Sequence, residues 1–434
     1  METHLPTDLL ATPEGREAEA ILRACVHCGF CNATCPTYQI LGDELDGPRG
    51  RIYLMKQMLE GQPVTTETRL HLDRCLTCRN CETTCPSGVQ YGRLVDIGRH
   101  VAEQRAPRPW SEQLMRGALR AGLTTPALFG PALKIGQAMR GWLPRLLQDH
   151  VPSPSGGGCP EQDAGQERGR PQGALQAPPS PQPSPTGGGG KRLMLVLEGC
   201  VQPGLAPETN AAAARVLDRL GIHLMAAAGA GCCGAIDQHL SAPDAALASM
   251  RRNIDAWWPH IQAGAEAIVL TASGCGSLVK EYGHHLRGDS VYAEKAARVS
   301  ELAKDLAEVL AAEDLSGLHT RQPRRVAFHP PCSLQHGQQV QGVVEDILVR
   351  LGHELTPFNE THLCCGSAGT YSLLQPELSR TLRDRKLGHI QAARPEVIAT
   401  ANIGCQTHLA AGAEVPVVHW ITLLDGEWQV ASGE

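Results

Sequence analysis

Hydrophobic patterning divides the chain into two unlike regions. From Lys191 onward, short apolar runs (Leu193–Leu197, Ala267–Thr271, Val397–Ala401) alternate with longer stretches of helical period. Strands alternating with helices predict a parallel sheet covered on both faces. Before residue 150, apolar positions recur instead at spacings of three and four, the helical signature. One such stretch runs from Arg51 to Glu60. Another spans about 111–150, is interrupted by Pro126, Pro131 and Pro144, and carries mostly basic charges (Arg116, Arg120, Lys134, Arg140, Arg145). It predicts helices that pack one domain against the next, with a membrane surface or a docked partner as the alternative contact. Residues 151–190 have no periodicity, and 23 of those 40 positions are Pro, Gly or Ser. Such a segment buries too little apolar surface to offset its ordering entropy, so it predicts a flexible linker.

The second region repeats itself. Cys200 recurs as Cys332 and Cys232-Cys233-Gly234 as Cys364-Cys365-Gly366, both 132 residues on, while Arg219-Leu220-Gly221 recurs as Arg350-Leu351-Gly352 after 131. Each copy reads as strand, cysteine, helix, strand, CCG, helix, strand and Gly-Cys (Gly274-Cys275; Gly404-Cys405). The cysteines fall just past strand C-termini, where open α/β sheets place ligands. The expected fold class is α + α/β, with a helical ferredoxin-type domain over 1–110 and a helical connector over 111–150. After the linker at 151–190 come two α/β CCG lobes, 191–320 and 321–434, facing each other across a pseudo-two-fold.

Net charge is −6 over 434 residues, so no basic surface points to nucleic acid. The apolar runs are too short to span a bilayer, and the N-terminus lacks the charged head and apolar stretch of a secretion signal. The expected location is the cytoplasm or the inner face of the cell membrane. Seventeen cysteines change the picture. Their tight grouping before residue 86 and between Cys200 and Cys405 fits metal or redox chemistry better than a disulfide framework. Cys159 stands apart in the linker and is not expected to be a ligand.

Cys25, Cys28, Cys31 and Cys35 follow the spacing C-x2-C-x2-C-x3-C-P, and Cys75, Cys78, Cys81 and Cys85 repeat it. Three thiolates two residues apart can wrap one cubane, and the fourth, displaced by the longer gap and proline, points to the neighbouring cluster. The expected sets are Cys25, Cys28, Cys31 and Cys85 for one [4Fe–4S] cluster, and Cys75, Cys78, Cys81 and Cys35 for the other. Structural zinc would use two C-x2-C pairs and leave the third cysteine unexplained. His27, inside the first motif, is not needed as a ligand.

The repeated lobes carry Cys200, Cys232, Cys233 and Cys275, then Cys332, Cys364, Cys365 and Cys405, as candidate cofactor-binding thiols. Cysteines packed as small hydrophobes are the bland alternative, and recurrence at matched spacing argues against it.

The phrases CVHCGFCNATCP, GDELDGPRGRIYLMKQMLEG, CLTCRNCETTCPSGV, ASGCGSLVKEYG, LCCGSAGTYSLLQPEL and TANIGCQTHLAAG resemble the glycolate oxidase iron–sulfur subunit family, outside the linker. The CCG lobes also resemble those of heterodisulfide reductase, whose motifs end in C-x2-C and hold an unusual cluster on five cysteines. Here Leu278 and His408 stand three residues after Cys275 and Cys405, with Ala272 and Asn402 three before. Each lobe thus offers four thiolates, and a cluster in each, a single cluster or none stay open. His408 could ligate in the second lobe, and His329 could tune that site or serve the core.

The resemblance implies oxidation of a 2-hydroxy acid to its keto form. That reaction removes two electrons, normally as hydride, whereas iron–sulfur clusters take one at a time. No G-x-G-x-x-G follows a strand in this chain. The expectation is therefore a non-substrate-binding subunit, inactive alone. FAD-containing partner subunits would oxidise glycolate, and a quinone or membrane acceptor would receive the electrons. A thiol–disulfide catalyst, or the iron–sulfur subunit of a lactate or glycerol-3-phosphate dehydrogenase, are the alternatives.

Overall fold

A computed structural model describes residues 1–139, 191–318, 320 and 322–425. The linker at 151–190, Cys159 and the end of the connector lie outside the described residues.

The N-terminal domain is helical. Its first long helix, Pro13–Ala24, starts where the Thr12 hydroxyl caps the Gly15 amide and Pro13 pre-sets the first turn. It packs with Pro48–Leu59, Thr66–Asp73 and Tyr91–Arg105 around Leu22, Met55, Leu59, Leu72 and Leu94, all fully buried. Each such side chain contributes about 1.5–3 kcal/mol of burial. Gly98 permits the close approach of Tyr91–Arg105 to Pro48–Leu59, because a Cβ there would lie 2.7 Å from Met55 Cγ. The helix expected from Arg51 to Glu60 is present and begins earlier, at Pro48.

Helices Trp110–Thr124 and Pro126–Ala138 follow. Neither has a fully buried residue, yet Phe129 and Leu133 pack over Gly204, and Arg120 Nε donates to Asp237 Oδ1 at 2.7 Å. The connector thus lies against the first lobe. Trp110, Leu114, Leu128 and Ile135 stay exposed on its other side.

Each lobe has one four-stranded parallel sheet. The first has β1 (Arg192–Val196), β2 (Ile222–Ala226), β3 (Ile268–Leu270) and β4 (Ala303–Asp305), in the order β2-β1-β3-β4. The second has β5 (Arg325–His329), β6 (Glu354–Leu355), β7 (Val397–Thr400) and β8 (Val417–His419), in the order β6-β5-β7-β8. The sequence pattern yields three strands per lobe. The fourth escapes it because three residues pairing at a sheet edge carry no periodicity.

The two-fold relation appears in reciprocal contacts. Helix Pro207–Arg219 of the first lobe packs on Thr422–Asp425 of the second, and helix Leu306–Ala311 packs on Val343–Arg350. These helices share one core, in which Val216, Leu217 and Leu310 meet Ile347, Leu348 and Trp420. The β3 and β7 ends meet too, with the Ser273 amide donating to the Ala401 carbonyl at 3.1 Å and the Gly274 amide to Asn402 Oδ1 at 3.2 Å. The strand ends that carry the cysteines therefore face a common centre.

Candidate metal centres

The two N-terminal cysteine loops share a backbone course that spacing does not reveal. His27 and Thr77, two residues after the first cysteine of each motif, are left-handed at φ 60° and 54°. Gly29 and Arg79, two further on, are left-handed at φ 85° and 60°. Non-glycine residues hold such a course only where their surroundings enforce it. Arg79 is held by Glu82 Oε2 and by Glu281 Oε1 of the first lobe, each accepting at 2.9 Å. This turn aims successive thiols inward, and the Thr77 amide reaches Cys75 Sγ at 3.4 Å.

Cys25, Cys28, Cys31 and Cys85 line one cavity together with Val26, Phe30, Ile52 and Val89, and Cys81 also borders it. Cys85, the second motif's last cysteine, thus lies close to Cys25 and Cys31 of the other motif. The cavity opens at the surface, where Val26 is 68% and Phe30 62% exposed. Burial, and then the neighbouring Cys25, push the Cys31 thiol up to about 11. A thiolate set of this kind forms only when a metal takes the charge and releases the protons.

Cys35, Cys75, Cys78 and Cys81 form the second group, deeper in the molecule. Burial raises Cys78 and Cys81 far above the ordinary thiol range, and nearby Cys75 and Cys35 add to it. Arg51, 1% exposed, places Nη1 4.0 Å from Cys35 Sγ and Nη2 3.4 Å from Asp46 Oδ1. The Thr37 hydroxyl lies 3.3 Å from the same sulfur, and Tyr91 Oη donates to Cys75 Sγ at 3.6 Å. A fixed cation and several donors here stabilise negative charge on sulfur.

This second group adjoins the second lobe. Cys78 packs in one cluster with Leu76, Tyr371, Cys332 and Cys364. Asn80 Nδ2 donates to the His362 carbonyl at 3.0 Å, and Tyr371 Oη to the Arg74 carbonyl at 3.2 Å. Sequence reasoning carried no signal of this docking, because its contacts join residues nearly 300 positions apart.

In the lobes, Gly234 and Gly366 take φ +98° and +93° immediately after the cysteine pairs. Their amides turn back to Cys232 Sγ and Cys364 Sγ, both at 3.4 Å. A Cβ at Gly366 would meet the Ser379 carbonyl oxygen at 2.5 Å, and one at Gly234 would meet that of Ala246 at 3.0 Å. The glycines are therefore required. Cys200, Cys232, Cys233 and Cys275 come together in the first lobe, and Cys332, Cys364, Cys365 and Cys405 in the second. Cys332 and Cys364 are 3.9 Å apart, sulfur to sulfur. A cleft of about 830 Å3, where the N-terminal domain, connector and both lobes meet, is lined by thiols of both lobes and by Cys75 and Cys78.

The lobes differ in what surrounds their thiols. His329 ends β5 and is fully buried, and neither ring nitrogen has a hydrogen-bond partner among the described residues. One of them lies within 4.8 Å of both Cys365 Sγ and Cys405 Sγ. Leaving such a group unpartnered costs roughly 1–3 kcal/mol. His408 has its Nε2 engaged by Ser379, whose carbonyl and hydroxyl oxygens are both 3.2 Å away. Buried Lys386 donates to the Glu360 carbonyl beside these thiols; burial draws its pKa down to about 8 against the opposing pull of Cys365 and Cys364. Lys386 was missed, although aligning Pro376 with Pro243 sets it opposite Asn253 of the first lobe.

Comparison with known families fits this architecture. Residues 21–89 match a 4Fe-4S dicluster domain, and residues 194–280 and 326–410 match a cysteine-rich domain. The chain is 53% identical to the glycolate oxidase iron-sulfur subunit of Escherichia coli (strain K12), covering 98% of each. It is 28% identical to a probable glycolate oxidase iron-sulfur subunit of Bacillus subtilis (strain 168), over 92% of this chain and 90% of that protein. It is also 28% identical to lactate utilization protein A of Geobacillus kaustophilus, over 50% of this chain and 92% of that protein.

Proposed function

The chain belongs to the family of glycolate oxidase iron–sulfur subunits, and from that premise we propose that it takes electrons singly from FAD-containing partners that oxidise glycolate. A quinone or other membrane acceptor receives them. The identity of 53% over nearly the whole length favours glycolate over lactate, since the lactate utilization relative matches half the chain at 28%.

The N-terminal domain carries two [4Fe–4S] clusters, which supply one-electron chemistry when bound. In our reading Cys25, Cys28, Cys31 and Cys85 hold the outer one, and Cys75, Cys78, Cys81 and Cys35 the inner one. The single observation that carries this is the grouping of Cys85 with Cys25, Cys28 and Cys31 around a surface cavity that Cys81 also borders, Cys31 lying beside the other three. Around the inner thiols, Arg51 holds positive charge and Leu76 and Tyr371 exclude water beside Cys332 and Cys364. The arrangement runs from a partner-accessible face to the lobe thiols.

No helix among the described residues is long and apolar enough to cross a membrane. Contact with a membrane acceptor would therefore run through a partner or a surface such as the exposed connector face.

Two measurements test the proposal. Chain purified without oxygen should contain at least about eight irons with matching acid-labile sulfide, two clusters of four. It should not oxidise glycolate until an FAD partner is added. Zinc in place of iron, or glycolate oxidation by the chain alone, would sink it.

A further inference from the structure

We infer that His329 is a metal ligand, giving the second lobe a mixed nitrogen–thiolate iron–sulfur centre that the first lobe cannot assemble. This rests on the reading that lobe thiols hold clusters.

The two lobes supply their own control. Leu195 pairs with Ile268 in the first sheet as Ala327 pairs with Ile398 in the second, so Leu197 occupies the place of His329. Leu197 is packed in the apolar core with Cys233, as a residue there ordinarily would be. The second lobe puts an imidazole in that place, buries it completely, and gives neither nitrogen a partner among the described residues. One of those nitrogens lies within 4.8 Å of two thiols, Cys365 and Cys405. A buried nitrogen facing two thiols is a ligand arrangement, and neutral imidazole is a common ligand for iron and zinc.

The remaining donors decide between an ion and a cluster. Cys332 and Cys364 adjoin Cys365, so the second lobe presents four sulfurs and one nitrogen. A tetrahedral zinc ion takes four ligands and would leave one over. Several irons can use all five. Cys78, one of the inner ferredoxin-type thiols, packs against Cys332 and Cys364, which sets this centre beside the inner cluster. Imidazole in place of thiolate raises the potential of an iron–sulfur centre, as in Rieske sites. The second lobe should therefore hold the more oxidising of the lobe centres.

The test uses the full chain, purified anaerobically after growth on 15N-histidine. Pulsed EPR of the cluster signals should show nitrogen coupling that shifts with the isotope. It should vanish in His329→Ala and His329→Cys and persist in His408→Ala and His27→Ala. Iron in the wild type should exceed the roughly eight that the N-terminal motifs supply. His329→Ala should lower it towards that figure, and His329→Cys should keep the iron while lowering the midpoint potential. Iron well above eight without histidine coupling, or with coupling unchanged in both His329 variants, would overturn the ligand assignment and leave the lobe clusters standing. Iron near eight in the wild type, or zinc in the second lobe, would overturn the cluster reading beneath it.

Discussion

At the scale of single residues, the cysteines and the glycines beside them do most of the positioning. If the N-terminal motifs exchange their fourth ligands, Cys35→Ser should impair the cluster of the second motif and spare that of its own. The EPR signals of the two clusters, compared with those of Cys85→Ser, would report this; loss of the same signal in both variants would rule out the exchange. Gly366→Ala forces a left-handed alanine against the Ser379 carbonyl at 2.5 Å, whereas Gly234→Ala meets its carbonyl at 3.0 Å. The first should cost about 3 kcal/mol and the second less. Thermal melting of the two variants side by side checks the order. Asp46, fully buried, accepts from Arg51 and Arg74, with Arg74 Nη1 at 2.8 Å. Asp46→Ala leaves a buried guanidinium without its carboxylate and should cost about 3–5 kcal/mol.

At the scale of elements, β8 carries a pH-sensitive seam between the lobes. His419 Nε2–H donates to the Thr271 carbonyl at 2.8 Å, joining β8 to the end of β3. Burial pulls the pKa of His419 down to about 4, and the bond to Thr271 only partly opposes this. An unfolded histidine takes its proton near pH 6.5. Below that value the unfolded chain binds the extra proton and the folded state loses ground, by up to about 1.4 kcal/mol per pH unit until the folded pKa is reached. Stability should thus be full above pH 6.5 and fall between 6.5 and 4. His419→Gln, which keeps a donor without titrating, should flatten that slope in melts taken between pH 5 and 7.

At the scale of the whole molecule, the inner thiol group is enclosed by the second lobe while the outer one lies under an exposed apolar face of Val26 and Phe30, flanked by Tyr53. Contiguous exposed apolar surface beside a redox site fits a partner contact. Val26→Glu with Phe30→Glu should therefore weaken co-purification with the FAD partner at least tenfold, compared between preparations matched for iron content. Retained binding would move the partner elsewhere, with the connector face of Trp110 and Leu114 as the next surface to alter.

The chemistry was legible in the sequence because covalent spacing along one loop already decides which thiols can reach one metal. The C-x2-C-x2-C-x3-C-P motifs, the 132-residue repeat and the alternation of strands with helices are local patterns of that kind. Patterning could not supply the three-residue edge strands β4 and β8, which exist only through pairing with a neighbour. It could not tell His329 from His408, since one ends a strand with no hydrogen-bond partner among the described residues and the other is engaged by Ser379 from a different helix. Nor could it bring Cys78 against Cys332, or Arg51 beneath Cys35. Those placements depend on contacts between residues far apart in the chain, and only the packed tertiary structure makes them.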